Sequence, residues 1–210
     1  MFDTKFITLG TAGGPVPKLH RAAPSHAITR GERVILIDCG EGAMQQLMRA
    51  GIDFRRVHKI ILTHHHFDHI GSLFTCLGIN MMLQRKEPIT IYGPPGTRQI
   101  VEGLAMACDV PNQIGFGVKG QSFPHPRDFV QVEEITSDST FRIDDIDITC
   151  CENTHYRPEN ELGTEGPWAP KTHRHERNKM KISNEANNAI LLNRLLDDKL
   201  IDWIETRKNI

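Results

Sequence analysis

The sequence lacks long apolar runs, a charge excess and an even set of cysteines. No stretch of its 210 residues approaches the roughly 20 apolar residues that cross a membrane, so we expect no membrane partner. Lys and Arg number 25 against 26 Asp and Glu, which excludes a bulk attraction to nucleic acid but not a local basic patch. Residues 1–10 carry no charged segment ahead of an apolar stretch and predict no signal peptide. Five scattered cysteines suit buried thiols in a reducing cytoplasm better than a disulfide framework.

Apolar runs alternate with helical patterns through most of the chain. The predicted strands cover residues 5–9, 33–37, 58–62, 89–92, 141–143 and 146–151, and the predicted helices cover residues 43–50 and 97–108. Residues 111–130 are expected to form an irregular loop because they are rich in Pro and Gly. Ser183 is predicted to cap a final amphipathic helix whose apolar stripe includes Ile190 and Leu191. This alternation predicts the α/β class, with a sheet covered on both faces.

Histidine is locally concentrated. Four of the eleven histidines lie within residues 64–69, where an even spread would place about 0.3. If the segment is extended, His64 and His66 point to the same side and can hold one metal ion. Asp68 and His69 follow as the chain turns into a helix, and they can serve a second ion. Imidazole and carboxylate together suit zinc, with manganese or iron as alternatives.

The remaining histidine of the cluster, His65, faces away from its neighbours in an extended segment and is not expected to be a ligand. The alternative interpretation of the whole cluster is a surface run of histidines. Its position after a buried strand and before an apolar segment, residues 70–73, favours the metal site over that alternative.

These motifs resemble those of the metallo-β-lactamase superfamily. The resemblance rests on His-x-His-x-Asp-His at residues 64–69, on Leu9-Gly10-Thr11 and on Asp38-Cys39-Gly40-Glu41-Gly42. Together with Gln46-Leu47 and Ala50-Gly51-Ile52, these motifs are most similar to those of the ribonuclease Z and arylsulfatase-like branch. The resemblance covers about residues 5–155 and implies a single domain over residues 1–210 with an αββα sandwich. Residues 1–156 match well, whereas residues 157–210 form a divergent tail, so the second half of the sandwich is expected to be shortened.

The resemblance also implies roles for residues outside the cluster. A lone histidine after a later strand is a ligand in this superfamily, and His155 stands in that place. His64, His66 and His155 would then hold the first ion and leave one position open for water. Asp38 matches the aspartate that hydrogen-bonds a ligating histidine and fixes its ring. Asp68 is expected both to bind the second ion and to orient the nucleophile as a catalytic residue.

The sequence departs from the superfamily after His155. No Gly-Asp pair occurs in the chain, so the carboxylate that bridges both ions is not found. The last histidine ligand is also missing, unless His173 or His175 in a charged run replaces it. The sequence therefore leaves open whether the chain binds one zinc ion or two.

The resemblance implies a metal-dependent hydrolase that attacks with a metal-bound hydroxide. Its leading substrate is a phosphodiester, as in cleavage at the 3′ side of a precursor tRNA, although no long basic arm that would grip RNA is present. The alternatives are a hydrolase of small-molecule esters, sulfates or lactones, and a catalytically impaired descendant that binds metal without turnover. A structural or partner-binding domain is a third class. A shortened sandwich would expose apolar surface, so a homo-oligomer is expected.

Overall fold

Two β-sheets, with helices packed on the first, form the described fold. The computed structural model describes residues 4–117, 120–136, 139–154, 176–183 and 190–191. The strands are β1 (Thr4–Gly10), β2 (Ser25–Arg30), β3 (Arg33–Ile37), β4 (Val57–Ile61), β5 (Ile89–Gly93), β6 (Val130–Glu134), β7 (Thr140–Ile143), β8 (Ile146–Thr154), β9 (Glu176–Ser183) and β10 (Ile190–Leu191). The helices are α1 (Ala43–Arg49), α2 (Phe67–Ile70), α3 (Leu73–Met82), α4 (Thr97–Ala107), α5 (Asp109–Ile114) and α6 (Pro126–Phe129), with a 3-10 turn at Phe54–Arg56.

The first sheet has the order β1-β2-β3-β4-β5-β6. Strand β2 pairs antiparallel with both β1 and β3, whereas β3, β4, β5 and β6 run parallel to one another. In the register, Ile37 lies opposite Ile61 and Ile61 lies opposite Tyr92, so β3, β4 and β5 end together. We call this side of the sheet the carboxyl edge and the side on which these three strands begin the amino edge. Polar residues that follow β3 and β4 therefore meet at the carboxyl edge.

Two apolar cores lie on the two faces of this sheet. Buried side chains such as Leu36, Ile60 and Ile91 pack with Leu47 of α1 and Leu77 of α3 on one face. The alternate residues of the same strands form the second core with the second sheet, and they include Ile35, Ile37, Ile61, Ile143 and Ile148. Because successive residues of a strand face opposite sides, buried strands on both faces require the continuous apolar runs seen at residues 34–37 and 60–62.

The second sheet has the order β10-β9-β8-β7 and is antiparallel throughout. The helix predicted from Ser183 is wrong where the structure describes it, because Ser183 ends β9 and Ile190 begins β10. Ile182 pairs with both Ile148 and Ile190, so strand pairing decides the conformation over the helical spacing of the leucines. Residues 192–210 lie outside the described residues, as does most of the predicted tail.

Other predictions also need correction. Residues 111–130 are not wholly irregular, since α5 ends at Ile114 and α6 covers Pro126–Phe129. His125 and Asp128 form a reciprocal capping box at the start of α6, with proline at its first position. Strands β2, β6 and β9 were not predicted. No helix in the described ranges is long and apolar enough to span a bilayer.

Candidate metal centre

Asp38 lies at the carboxyl edge, one residue beyond β3, and is fully buried. Its backbone has φ 55°, a left-handed conformation that Asp adopts more readily than most residues. The carboxylate accepts hydrogen bonds from the backbone N–H of Thr63 at 2.8 Å and from the Thr63 hydroxyl at 2.9 Å. It also accepts from Nδ1 of His69 at 2.7 Å. Because a carboxylate only accepts, this contact places the His69 proton on Nδ1 and leaves the Nε2 lone pair free to bind a cation.

A close backbone approach holds the Asp38 loop against α2. Cys39 N donates to the His69 carbonyl at 2.7 Å, and Ser72 N donates to the Cys39 carbonyl at 2.9 Å. A Cβ atom on Gly40 would lie 2.2 Å from the carbonyl oxygen of Asp68. Only glycine fits that contact, so the motif Asp38-Cys39-Gly40 fixes the position of α2 and of its first-turn side chains.

His64 and His66 contact each other, as their spacing predicts. Nε2 of His64 lies 3.0 Å from Nδ1 of His66, and the two rings meet edge to face with centroids 4.7 Å apart. The His64 ring also lies against His69, with centroids 3.9 Å apart. Nδ1 of His64 is 3.0 Å from the Thr63 hydroxyl oxygen. Since that hydroxyl gives its one proton to Asp38, it accepts from His64 Nδ1–H, which leaves His64 Nε2 unprotonated and able to accept from His66 Nδ1–H.

Asp68 completes the cluster. One carboxylate oxygen, Oδ2, lies 3.6 Å from Nε2 of His69. The other, Oδ1, is buried and has no hydrogen-bond partner within the described chain. A buried carboxylate oxygen without a partner is costly unless a positive charge or a proton donor satisfies it. This orphaned oxygen, beside imidazole nitrogens that keep their lone pairs, fits a divalent cation such as zinc.

The side chains approach one another without closing a complete ligand set. No group of three or more His, Cys, Asp or Glu in the described ranges converges on one point as metal ligands do. His155, His173 and His175 lie outside those ranges, so the structure places none of the predicted or alternative late ligands.

His65 points away from the cluster, in line with the expectation from its position. Its Nε2 lies 2.8 Å from the hydroxyl oxygen of Thr97, at the start of α4. This contact ties the histidine loop to the helix that follows β5 and leaves the other three histidines on the cluster side.

The sequence alone does not predict the roles of two residues near the cluster, Thr63 and His26. Thr63 connects Asp38 with His64, but a single threonine after a strand carries no signal of that role. His26 of β2 is 1% exposed and stacks on Phe6, and neither of its ring nitrogens has a partner in the part of the chain described. Burial lowers the pKa of His26, although the negative charge of Asp38 opposes that shift. No signal pointed to His26 because β2 itself was not predicted.

Comparison with known proteins agrees with this fold. The crystal structure of the metallo-beta-lactamase fold protein YhfI from Bacillus subtilis has a TM-score of 0.59 at 15% identity and covers 87% of this chain and 58% of that one. Human tRNase Z, short form, has a TM-score of 0.59 at 21% identity and covers 89% of this chain and 68% of that one. At such identities the two structures establish the fold alone. The chain has the metallo-β-lactamase fold, and the predicted class is confirmed.

The sequence comparisons give the family. The family described as Anti-Pycsar protein Apyc1 matches residues 4–166, and the chain belongs to it. Ribonuclease Z of Mycolicibacterium gilvum (strain PYR-GCK) is 32% identical over 148 residues, which are 68% of this chain and 50% of that protein. The predicted resemblance to ribonuclease Z is therefore confirmed. The chain spans about half the length of the curated relatives it matches.

Proposed function

We propose that this protein is a metal-dependent hydrolase that cleaves phosphodiesters at the carboxyl edge. The observation that carries the proposal is the chain of contacts from Asp38 through His69 to Asp68, which ends in a buried carboxylate oxygen without a partner. In a chain related to ribonuclease Z, such a cluster is best explained as a cation site. His64, His66, Asp68 and His69 are the proposed ligands here, and His155 is the proposed further ligand.

Each side chain has a distinct task in this proposal. A bound divalent ion, with zinc ahead of manganese or iron, supplies Lewis acidity toward a phosphoryl oxygen. Asp38 and Thr63 hold the imidazoles of His69 and His64 with their protons on Nδ1, so both Nε2 atoms face the site. Besides its place among the proposed ligands, Asp68 would orient the attacking water and accept its proton as a general base.

The identity of the substrate is also part of the proposal. Cleavage at the 3′ side of a precursor tRNA is supported by the ribonuclease Z relative, which shares 148 aligned residues with this chain. Hydrolysis of a small-molecule ester, sulfate or lactone is the competing outcome. A cytoplasmic location belongs to the proposal as well, supported by three buried free thiols: Cys39, Cys76 and Cys108.

The test is hydrolysis of bis(p-nitrophenyl) phosphate compared with p-nitrophenyl sulfate, with the full chain in zinc or manganese. We expect phosphodiester cleavage that EDTA abolishes and that His64→Ala removes. His65→Ala is the matched control, because it deletes a neighbouring imidazole that contacts Thr97 instead of the cluster. Faster cleavage of the sulfate would favour a hydrolase of small-molecule esters, sulfates or lactones over a phosphodiesterase. No cleavage of either substrate would favour a catalytically impaired protein that binds metal without turnover.

A further inference from the structure

A cavity lies at the amino edge of the first sheet, whereas the candidate metal centre lies at the carboxyl edge. Its volume is about 510 Å³. Three separated segments form it: the start of β3, the 3-10 turn with the start of β4, and the connection from α3 to β5. Asp144, from the turn between β7 and β8, closes one side. The five residues of β4 separate the two edges by about 16 Å at 3.3 Å per residue.

This cavity, which we call the basic pocket, collects positive charge. Its cationic lining residues are Arg33, Arg55, Arg56, Lys59, Arg85 and Lys86. Two carboxylates, Glu87 and Asp144, line the cavity with these six cations, which leaves an excess of four positive charges in the lining. Asp53 and Glu32, which pair with two of the arginines from just outside the lining, reduce the local excess to two. The whole chain has a formal net charge of -1. The excess is therefore a local feature, and a cleft lined by one sign of charge attracts ligands of the other sign.

Half of these cations have no carboxylate within ion-pair distance in the described chain. Arg33 pairs with Asp144, Arg55 with Asp53 and Arg56 with Glu32. By contrast, Arg85 donates to backbone carbonyls, and Lys59 donates to the hydroxyl of Thr90. Lys86 is exposed and has no contact of either kind among the described residues.

Arg85 lines the basic pocket and is held in place by several hydrogen bonds. Its guanidinium donates to the carbonyls of Arg55, Val57 and Glu87 and to Oδ1 of Asn80, so its position is fixed by the segments it joins. Burial lowers the pKa of Arg85, although the Cys76 thiol and the Glu87 carboxylate oppose that shift. The guanidinium has lost part of its hydration and has no carboxylate within ion-pair distance among the described residues. An anion that entered the cavity would restore that lost stabilisation.

We propose that the basic pocket binds a phosphate-bearing ligand at the edge of the sheet opposite the candidate metal centre. Phosphate suits the donors present, because guanidinium groups bind two phosphate oxygens at once and lysine contributes a mobile point charge. The ligand is either the backbone of a single-stranded RNA or a small phosphate compound. The proposal does not depend on hydrolase activity, since no residue of the pocket belongs to the candidate metal centre.

The experiment measures binding by the full chain in EDTA, at about 50 mM salt, where electrostatic contacts to phosphate are strong. The probes are a fluorescein-labelled 12-nucleotide RNA, followed by anisotropy, and inorganic pyrophosphate, followed by calorimetry. We expect Lys86→Glu to weaken binding about tenfold and Lys86→Glu/Arg55→Glu to weaken it further. Lys18→Glu/Arg49→Glu is the charge-matched control, because both residues are exposed and neither lines the pocket.

The outcomes separate the two sources of phosphate. A selective loss of RNA affinity in the pocket variants assigns the pocket to a nucleic-acid backbone, whereas a loss for pyrophosphate assigns it to a small phosphate compound. Equal losses in the pocket and control variants, or no loss in either, would overturn the proposal. Lys86→Gln, a neutral change at an exposed position, repeats the test if the double variant does not fold, and it must also weaken binding.

Discussion

The two edges of the first sheet use polar residues in opposite ways. At the carboxyl edge, Asp38, His64, Asp68 and His69 are all buried and few in number, and each is placed by a backbone or side-chain contact. At the amino edge, six cations surround an open cavity, and carboxylates, a hydroxyl and backbone carbonyls hold different members of the set. Buried and oriented groups suit chemistry on one small ligand, whereas a broad field of exposed charge suits binding. The same strands thus carry two sites of different character.

The largest effect is expected at the carboxyl edge. Asp68→Asn keeps the size of the side chain but removes the proton acceptor, so phosphodiesterase activity should fall by about a hundredfold to ten-thousandfold. Asp109→Asn, an exposed carboxylate of α5, is the matched control and should leave the rate unchanged. The rate is measured with bis(p-nitrophenyl) phosphate. An Asp68→Asn variant within twofold of the parent would remove Asp68 from the mechanism.

The next largest effect is expected in the stability of the amino edge. Arg85→Ala leaves the carbonyls of Arg55, Val57 and Glu87 without their donor and should lower the free energy of unfolding by about 2–3 kcal/mol. Lys86→Ala removes a neighbouring cation that has no such contact, and it should change the stability by less than about 0.5 kcal/mol. Urea unfolding measures both. Equal losses would contradict the structural role given to Arg85.

Orientation of a ligand should matter less than its removal. Asp38→Asn replaces a carboxylate that sets the His69 proton with a neutral amide, and it should weaken zinc affinity by about 10- to 100-fold. Competition against a chelating dye measures the affinity. Asp53→Asn changes a half-buried carboxylate at the 3-10 turn, away from the cluster, and serves as the control. Unchanged zinc affinity in Asp38→Asn would mean that the contact from Asp38 to His69 does not support metal binding.

The smallest effect compares one histidine from each edge. His26 is buried and has no hydrogen-bond partner among the described residues, so His26→Leu should leave the free energy of unfolding unchanged or raise it by up to about 1 kcal/mol. His58 contacts the Val34 carbonyl and the Asp144 carboxylate, and His58→Leu should lower it by about 1–2 kcal/mol. Thermal and urea unfolding give the comparison. If His26→Leu lowered the free energy of unfolding more than His58→Leu, the conclusion that His58 but not His26 makes stabilising hydrogen bonds would be wrong.

How far the sequence predicts each edge follows from where the residues lie along the chain. The carboxyl edge was predictable because its members follow two buried strands in short motifs, at Asp38 and at residues 64–69. The amino edge was not, since its cations are scattered between residues 33 and 86 and meet only after the strands align. Strand β2 begins with the polar residues Ser25 and His26 and has no alternating apolar pattern, so its sequence carried no strand signal. Long-range strand pairing also overrode the helix predicted from Ser183.

The metal content of the purified full chain tests the central claim most directly. Elemental analysis after dialysis should find at least one divalent ion per chain, and two would support the complete hydrolase. His64→Ala/His69→Ala should lose the ion while His65→Ala keeps it, since only His65 turns toward Thr97. A chain without bound metal, or a double variant that binds as much as the parent, would contradict the account.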